Sequence, residues 1–81
     1  MQETRKIAEV IRFHRKRSSL TQLQLAKLAG VGKTAVFDVE KGKETVQLNT
    51  LLKIMRILNM KLDFSSPLID EFNKIKAKDV K

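Results

Sequence analysis

The stretch Gly30-Val31-Gly32-Lys33-Thr34 is where this 81-residue chain comes nearest to a chemical device, since a glycine loop followed by Lys and Thr can cradle a phosphate. The first glycine of such a loop is missing at the required distance, and no strand pattern precedes it, so the stretch is discounted as a nucleotide cradle. His14 is the sole histidine and cysteine is absent, which leaves no second soft ligand for a metal and no thiolate chemistry. A nucleophilic triad would need a positioned serine and acid beside His14, and no carboxylate pair falls in a plausible pocket. The expectation is a protein that is not an enzyme and needs neither metal nor cofactor, with His14 packed and hydrogen-bonded.

What remains is cationic chemistry. Seventeen Lys and Arg against nine Asp and Glu give a formal net charge of +8, which favours a polyanionic partner such as nucleic acid or an anionic membrane. Residues 1–20 hold six basic and two acidic side chains, concentrated in RFHRKR, whereas the tail 63–81 balances four of each sign. The excess therefore lies on the body of the chain and not on a disordered arm, although a solvated, Lys-rich helix surface would leave the same signature. With 42% hydrophobic residues the chain can build one core but not two. Lack of cysteine suits a reducing cytoplasm, no apolar run approaches the roughly 20 residues of a membrane span, and MQETRKIAEV does not read as a signal peptide. A cytoplasmic, nucleoid-associated protein without a membrane partner is expected.

These side chains must be positioned by helices. Ile7, Val10, Ile11 and His14 recur at helical spacing and predict a first helix over about 4–17, ended by Ser18 and Ser19. Thr21 stands at an N-cap position, and Leu25, Ala26, Leu28 and Ala29 give a short second helix that stops at Gly30. Gly32 caps a third, with Val36 and Val39 facing inward and Lys33, Thr34, Phe37 and Asp38 outward until Gly42. A side chain larger than Ala26 or Gly30 is expected to force the two helices apart at so short a corner.

Thr21, Gln22, Leu25, Ala26, Ala29, Gly30, Val31, Val36, Glu40 and Gly42 spell T-Q-x-x-L-A-x-x-A-G-V-x-x-x-x-V-x-x-x-E-x-G, which resembles the Cro/C1-type helix-turn-helix family. Together with TVQLNTLLKIMRILNMKLDF it looks like HipB-type antitoxins and related small regulators, and the resemblance covers about residues 4–65. It implies a lambda repressor-like fold: all-α, four or five helices, with one C-terminal strand pairing across a homodimer. It implies phosphate contacts from Thr21 and Gln22 at a helix N-terminus, with Arg17 and Lys43 as further cations for the DNA backbone. It places Lys33, Thr34 and Phe37 at base-reading positions, with Gly32 and Asp38 at the margins. Lys33 can donate to guanine, Thr34 can meet several base edges, and the Phe37 ring can rest on a thymine methyl. Asp38 departs from this logic, because a carboxylate beside phosphates is repelled unless it meets a cytosine amino group or a neighbouring cation. Arg15 and Glu40 match a structural ion pair of the family. Leu23 stands where a polar residue is usual, as a partner contact or a tolerated surface leucine.

Leu48, Leu51, Leu52, Met55 and Leu58 predict a fourth helix over about 47–58, and Ile54 and Ile57 widen its stripe towards another subunit. Met60, Leu62 and Phe64 alternate with polar residues, the period of a strand over 60–65. An isolated strand leaves both edges unpaired, so its expected mate is the same segment of a twofold-related copy. Two protruding helices roughly 34 to 36 Å apart would then read an inverted repeat of double-stranded DNA. Residues 1–65 thus form a DNA-binding and dimerisation domain and 66–81 a tail, in which Leu68, Ile69, Phe72 and Ile75 predict a short amphipathic helix. That tail either docks on its own domain or grips a partner. The resemblance implies a repressor acting as a type II antitoxin, neutralising a HipA-like kinase toxin and controlling its own operon. A stand-alone Cro/C1-type regulator of phage or chromosomal genes and a protein-interaction module with a basic face are the alternatives.

Overall fold

A computed structural model describes residues 2–79, and over them the chain forms five α-helices: α1 Gln2–Arg17, α2 Gln22–Ala29, α3 Lys33–Glu40, α4 Leu48–Ile57 and α5 Ile69–Asp79. The first four pack around one core of Ile11, Leu25, Ala26, Val36, Val39, Ile54, Met55 and Leu58, in which Ile11, Leu25, Val36 and Ile54 have no accessible surface. Adding Leu51, Leu52, Ile57 and Met60 at its margin closes the domain on the α4 side.

The inward face of α1 is turned relative to its apolar spacing. Ala8, Ile11 and Arg15 are buried while Ile7 is exposed and Val10 and His14 are half-buried. An arginine takes the core-facing position because a carboxylate on α3 reaches it, which hydrophobic periodicity cannot foresee. His14 sits with Nδ1 2.7 Å from the Val10 carbonyl, a hydrogen-bonded residue of the helix face. Ser19 then adopts φ 59°, and the Leu20 amide returns to the Arg15 carbonyl at 3.2 Å to end the helix.

Thr21 caps α2 in a reciprocal box: its hydroxyl accepts from the Gln24 amide at 3.0 Å and its own amide donates to the Gln24 side chain at 2.8 Å. Gly30 ends α2 in the left-handed region at φ 72°, and the Val31 amide reaches back to the Ala26 carbonyl at 3.0 Å. The two small residues of the corner therefore act differently. Ala26 is buried between helices, but a Cβ on Gly30 would meet nothing within 4 Å, so backbone conformation and not crowding requires glycine there. Leu28, expected on the inner stripe, lies 58% exposed.

The second half corrects the reading of Ile54. Ile54, expected to widen a dimer surface, is fully buried at the centre of the domain's own core, while Leu48 is exposed. Ile57 is half-buried against that same core. No strand forms over 60–65 among the described residues. Asn59 turns left-handed at φ 59°, and the Met60 amide donates to the Met55 carbonyl at 2.9 Å, so Met60 belongs to the end of α4 with its side chain on the core. Beyond it, Leu62 and Phe64 are exposed, and a single copy offers them no ladder to join. The tail does form the expected helix, α5, in which Ile69 is half-buried while Leu68 before it, Phe72 and Ile75 stay exposed.

Candidate nucleic-acid interface

Helix α3 has two unlike faces. Val36 and Val39 anchor it in the core, and the opposite face shows Lys33, Thr34 and Phe37 to solvent, the Phe37 ring 47% exposed. Gly32 occupies its N-cap with φ −76° and ψ 154° and supplies no side-chain cap, so the first turn meets solvent through bare backbone. Free amides and the positive end of the helix dipole at such a turn suit an anion.

Glu40, in the last turn of α3, fixes this helix to the two before it. Its carboxylate accepts from Arg15 Nε at 2.6 Å and Nη2 at 3.0 Å, a fork on one side, and from Gln22 Nε2 at 3.2 Å. Arg15 donates a further bond from Nη1 to the Leu20 carbonyl at 2.8 Å. The side chains are only 11% and 4% exposed, so the pair is structural and closed to a base. The hydrogen bonds that Arg15 donates to Glu40 hold its pKa above the ordinary value against the opposing effect of burial, and the guanidinium stays charged at any working pH.

Gln22 is thus already engaged, which the sequence did not reveal. Its amide nitrogen keeps one further N–H for a phosphate, and the Thr21 hydroxyl, an acceptor within the cap, keeps its own proton to donate. Gln22 and Phe37 line one groove, to whose wall the Arg15–Glu40 pair also contributes, together with Arg12 and Lys41. Neither cation was singled out from the sequence, although Lys41 follows Phe37 by one helical turn and its ammonium lies 5.1 Å from the ring centroid. Asp38 finds the neighbouring cation that its position demanded: Lys43 Nζ lies 3.5 Å from its carboxylate, a long contact between partly exposed groups. That pairing softens repulsion from phosphates and engages the Lys43 expected at the DNA backbone. Arg17 is placed apart, its guanidinium 5.3 Å from the Phe13 ring at the end of α1.

The chain matches the family described as "Helix-turn-helix" over residues 11–65, a span from the buried Ile11 through α4 and the segment after it. It belongs to the Cro/C1-type helix-turn-helix family. The chain is 36% identical over 61 residues to an uncharacterized HTH-type transcriptional regulator, y4mF, of Sinorhizobium fredii, covering 75% of this chain and 80% of the relative. A second relative is the control protein C.SmaI of Serratia marcescens, 36% identical over 53 residues, which are 65% of this chain and 63% of that protein. The helix-turn-helix pair is α2 and α3, so the exposed face of α3 and the groove beside it form the candidate interface of a DNA-binding transcription regulator. Among the described residues no helix is long and apolar enough to cross a membrane.

Proposed function

We propose that this helix-turn-helix protein is a stand-alone, homodimeric repressor that reads an inverted repeat through Lys33, Thr34 and Phe37. The observation that carries the reading is the exposed Phe37 ring on α3, flanked by polar donors and backed by a buried opposite face. On the outer face of α3 the ring is placed where it can rest on a thymine methyl. Gln22, Thr21, Arg12 and Lys41 supply the phosphate contacts that hold register, and Gly32 leaves the α3 amides open at the DNA. The names of the two relatives, an uncharacterized HTH-type transcriptional regulator and a control protein, support a role in transcription regulation.

Selection of bound duplexes from a random pool, followed by footprinting, tests this. A pair of half-sites with centres about 34 to 36 Å apart is expected. Some ten phosphate contacts would lower affinity by about 10³ to 10⁵ between 50 and 200 mM salt. Equal affinity for every duplex would leave only the basic-face interaction module. The antitoxin reading implied by the HipB-type resemblance has one supporting observation, the uncovered apolar face of α5, and copurification of a kinase-like companion from the native cell would establish it.

A further inference from the structure

Two lysines at the end of α3 hold different partners. Lys43 faces the Asp38 carboxylate at 3.5 Å, whereas the Lys41 ammonium lies over the Phe37 ring, 5.1 Å from its centroid. That separation is within the roughly 6 Å over which a cation and an aromatic face attract. The backbone beneath the pair is fixed. The Lys41 amide donates to the Phe37 carbonyl at 3.0 Å, and Gly42, left-handed at φ 81°, lets the Lys43 amide reach back to the Asp38 carbonyl at 3.1 Å. Lys41 is thereby set one turn after Phe37, on the same side of the helix. With one face of the ring engaged and Phe37 still 47% exposed, its remaining surface is presented beside Arg12 and Gln22 in the groove.

We infer that Phe37 and Lys41 form one reader of the pyrimidine C5-methyl group, on thymine or on 5-methylcytosine, in which Phe37 makes the contact and Lys41 positions the ring. In the major groove that methyl marks thymine among the four ordinary bases. A 5-methylcytosine carries the same group on the same ring carbon, next to an amino group where thymine has a carbonyl. Phe37 has neither donor nor acceptor with which to tell those neighbours apart, so it registers the methyl of either base. The consequence is a repressor whose grip tightens when cytosine at that position is methylated. Lys41 has a second duty, because an ammonium resting on a ring keeps its donors for a phosphate and so couples backbone grip to methyl reading. Burying one methyl group changes affinity about fourfold at one half-site and about fifteenfold at two.

This reader deepens the proposal that α3 reads bases and rests on it. The test takes the duplex selected by the full chain, replaces each thymine of both half-sites in turn by deoxyuridine, and measures affinity by fluorescence anisotropy. One position per half-site is expected to respond, by about fifteenfold when both copies are changed. At that position cytosine and 5-methylcytosine, each paired with guanine, are then compared, and the methylated duplex is expected to bind tighter by the same factor. Phe37→Ala is expected to remove both increments with the far-UV spectrum retained, since Phe37 is exposed. Lys41→Met is expected to reduce the increment from about fourfold to about twofold per half-site and to lower the salt slope by about one per subunit, and Lys41→Arg to restore both. A lowered slope with an intact methyl increment would overturn the positioning role of Lys41. Deoxyuridine tolerated at every position, or a response to thymine without one to 5-methylcytosine, would overturn the reader and leave a sequence-specific repressor standing. Equal affinity for every duplex would overturn both.

Discussion

Replacing Glu40 with leucine removes the acceptor of three hydrogen bonds, at 2.6, 3.0 and 3.2 Å, and strands the Arg15 guanidinium with the Leu20 carbonyl as its remaining partner. Breaking a buried pair from one side costs roughly 3 to 5 kcal/mol, and the low end applies because Arg15 keeps 11% of its side chain exposed. An 81-residue domain has a total stability of about 4 to 12 kcal/mol, so a loss of about 3 is a large share of it. In a domain of this size, that loss lowers the melting temperature by about 12 to 24 °C. Arg15→Met strands the carboxylate instead and is expected to cost a similar amount, eased by the surviving bond from Gln22. The double variant, in which neither charge is left alone, is expected to lose no more than about 1 kcal/mol. Urea titrations of the four proteins, followed by circular dichroism, close the cycle. Single losses below about 1 kcal/mol, or a double loss equal to their sum, would refute the assignment of this pair as the fastening of α3.

Lys33→Ala is expected to relax discrimination at one base pair by about 1 to 3 kcal/mol while leaving binding to random duplex nearly unchanged, as measured by competition titration. Gly30→Ala forces a Cβ into the left-handed region and should cost about 1 to 2 kcal/mol in thermal unfolding, whereas Gly32→Ala, at φ −76° with open space around the added carbon, should cost about 0.5 kcal/mol. Ile54→Ala is expected to destabilise the isolated domain by about 2 to 5 kcal/mol at concentrations where it is monomeric; a loss seen only in the dimer would return Ile54 to an interface.

Local chemistry wrote the helix-turn-helix pair plainly. Thr21 and Gly30 bracket α2 because a hydroxyl cap and a left-handed glycine act within one turn of chain, and Val36 and Val39 face inward because their spacing follows the helix period. The family resemblance supplied Arg15 and Glu40, 25 residues apart, and from that pair the rotation of α1 could have been read, since an arginine drawn to α3 must turn towards it. Gln22 was missed as a member of that network, and Arg12 and Lys41 as walls of the groove, because such contacts depend on how three helices meet. The strand over 60–65 was expected across a twofold, and in the single chain residues 61–65 have no ladder to join. Alternation shows which side chains could line a sheet, but a ladder also needs a neighbour, and the Met60 amide at the start of the segment is engaged with the Met55 carbonyl. Ile54 was misplaced because a stripe as wide as that of α4 does not announce which flank lies deepest.

The three-way junction at Glu40 carries an evolutionary consequence. In the proposed complex Gln22 would meet the backbone of the operator, whereas Arg15 belongs to the interior, and both hang on one carboxylate. Drift towards new operators is therefore freer at Lys33, Thr34 and Phe37, which owe nothing to that junction, than at Gln22, where retuning grip on DNA also loosens the scaffold.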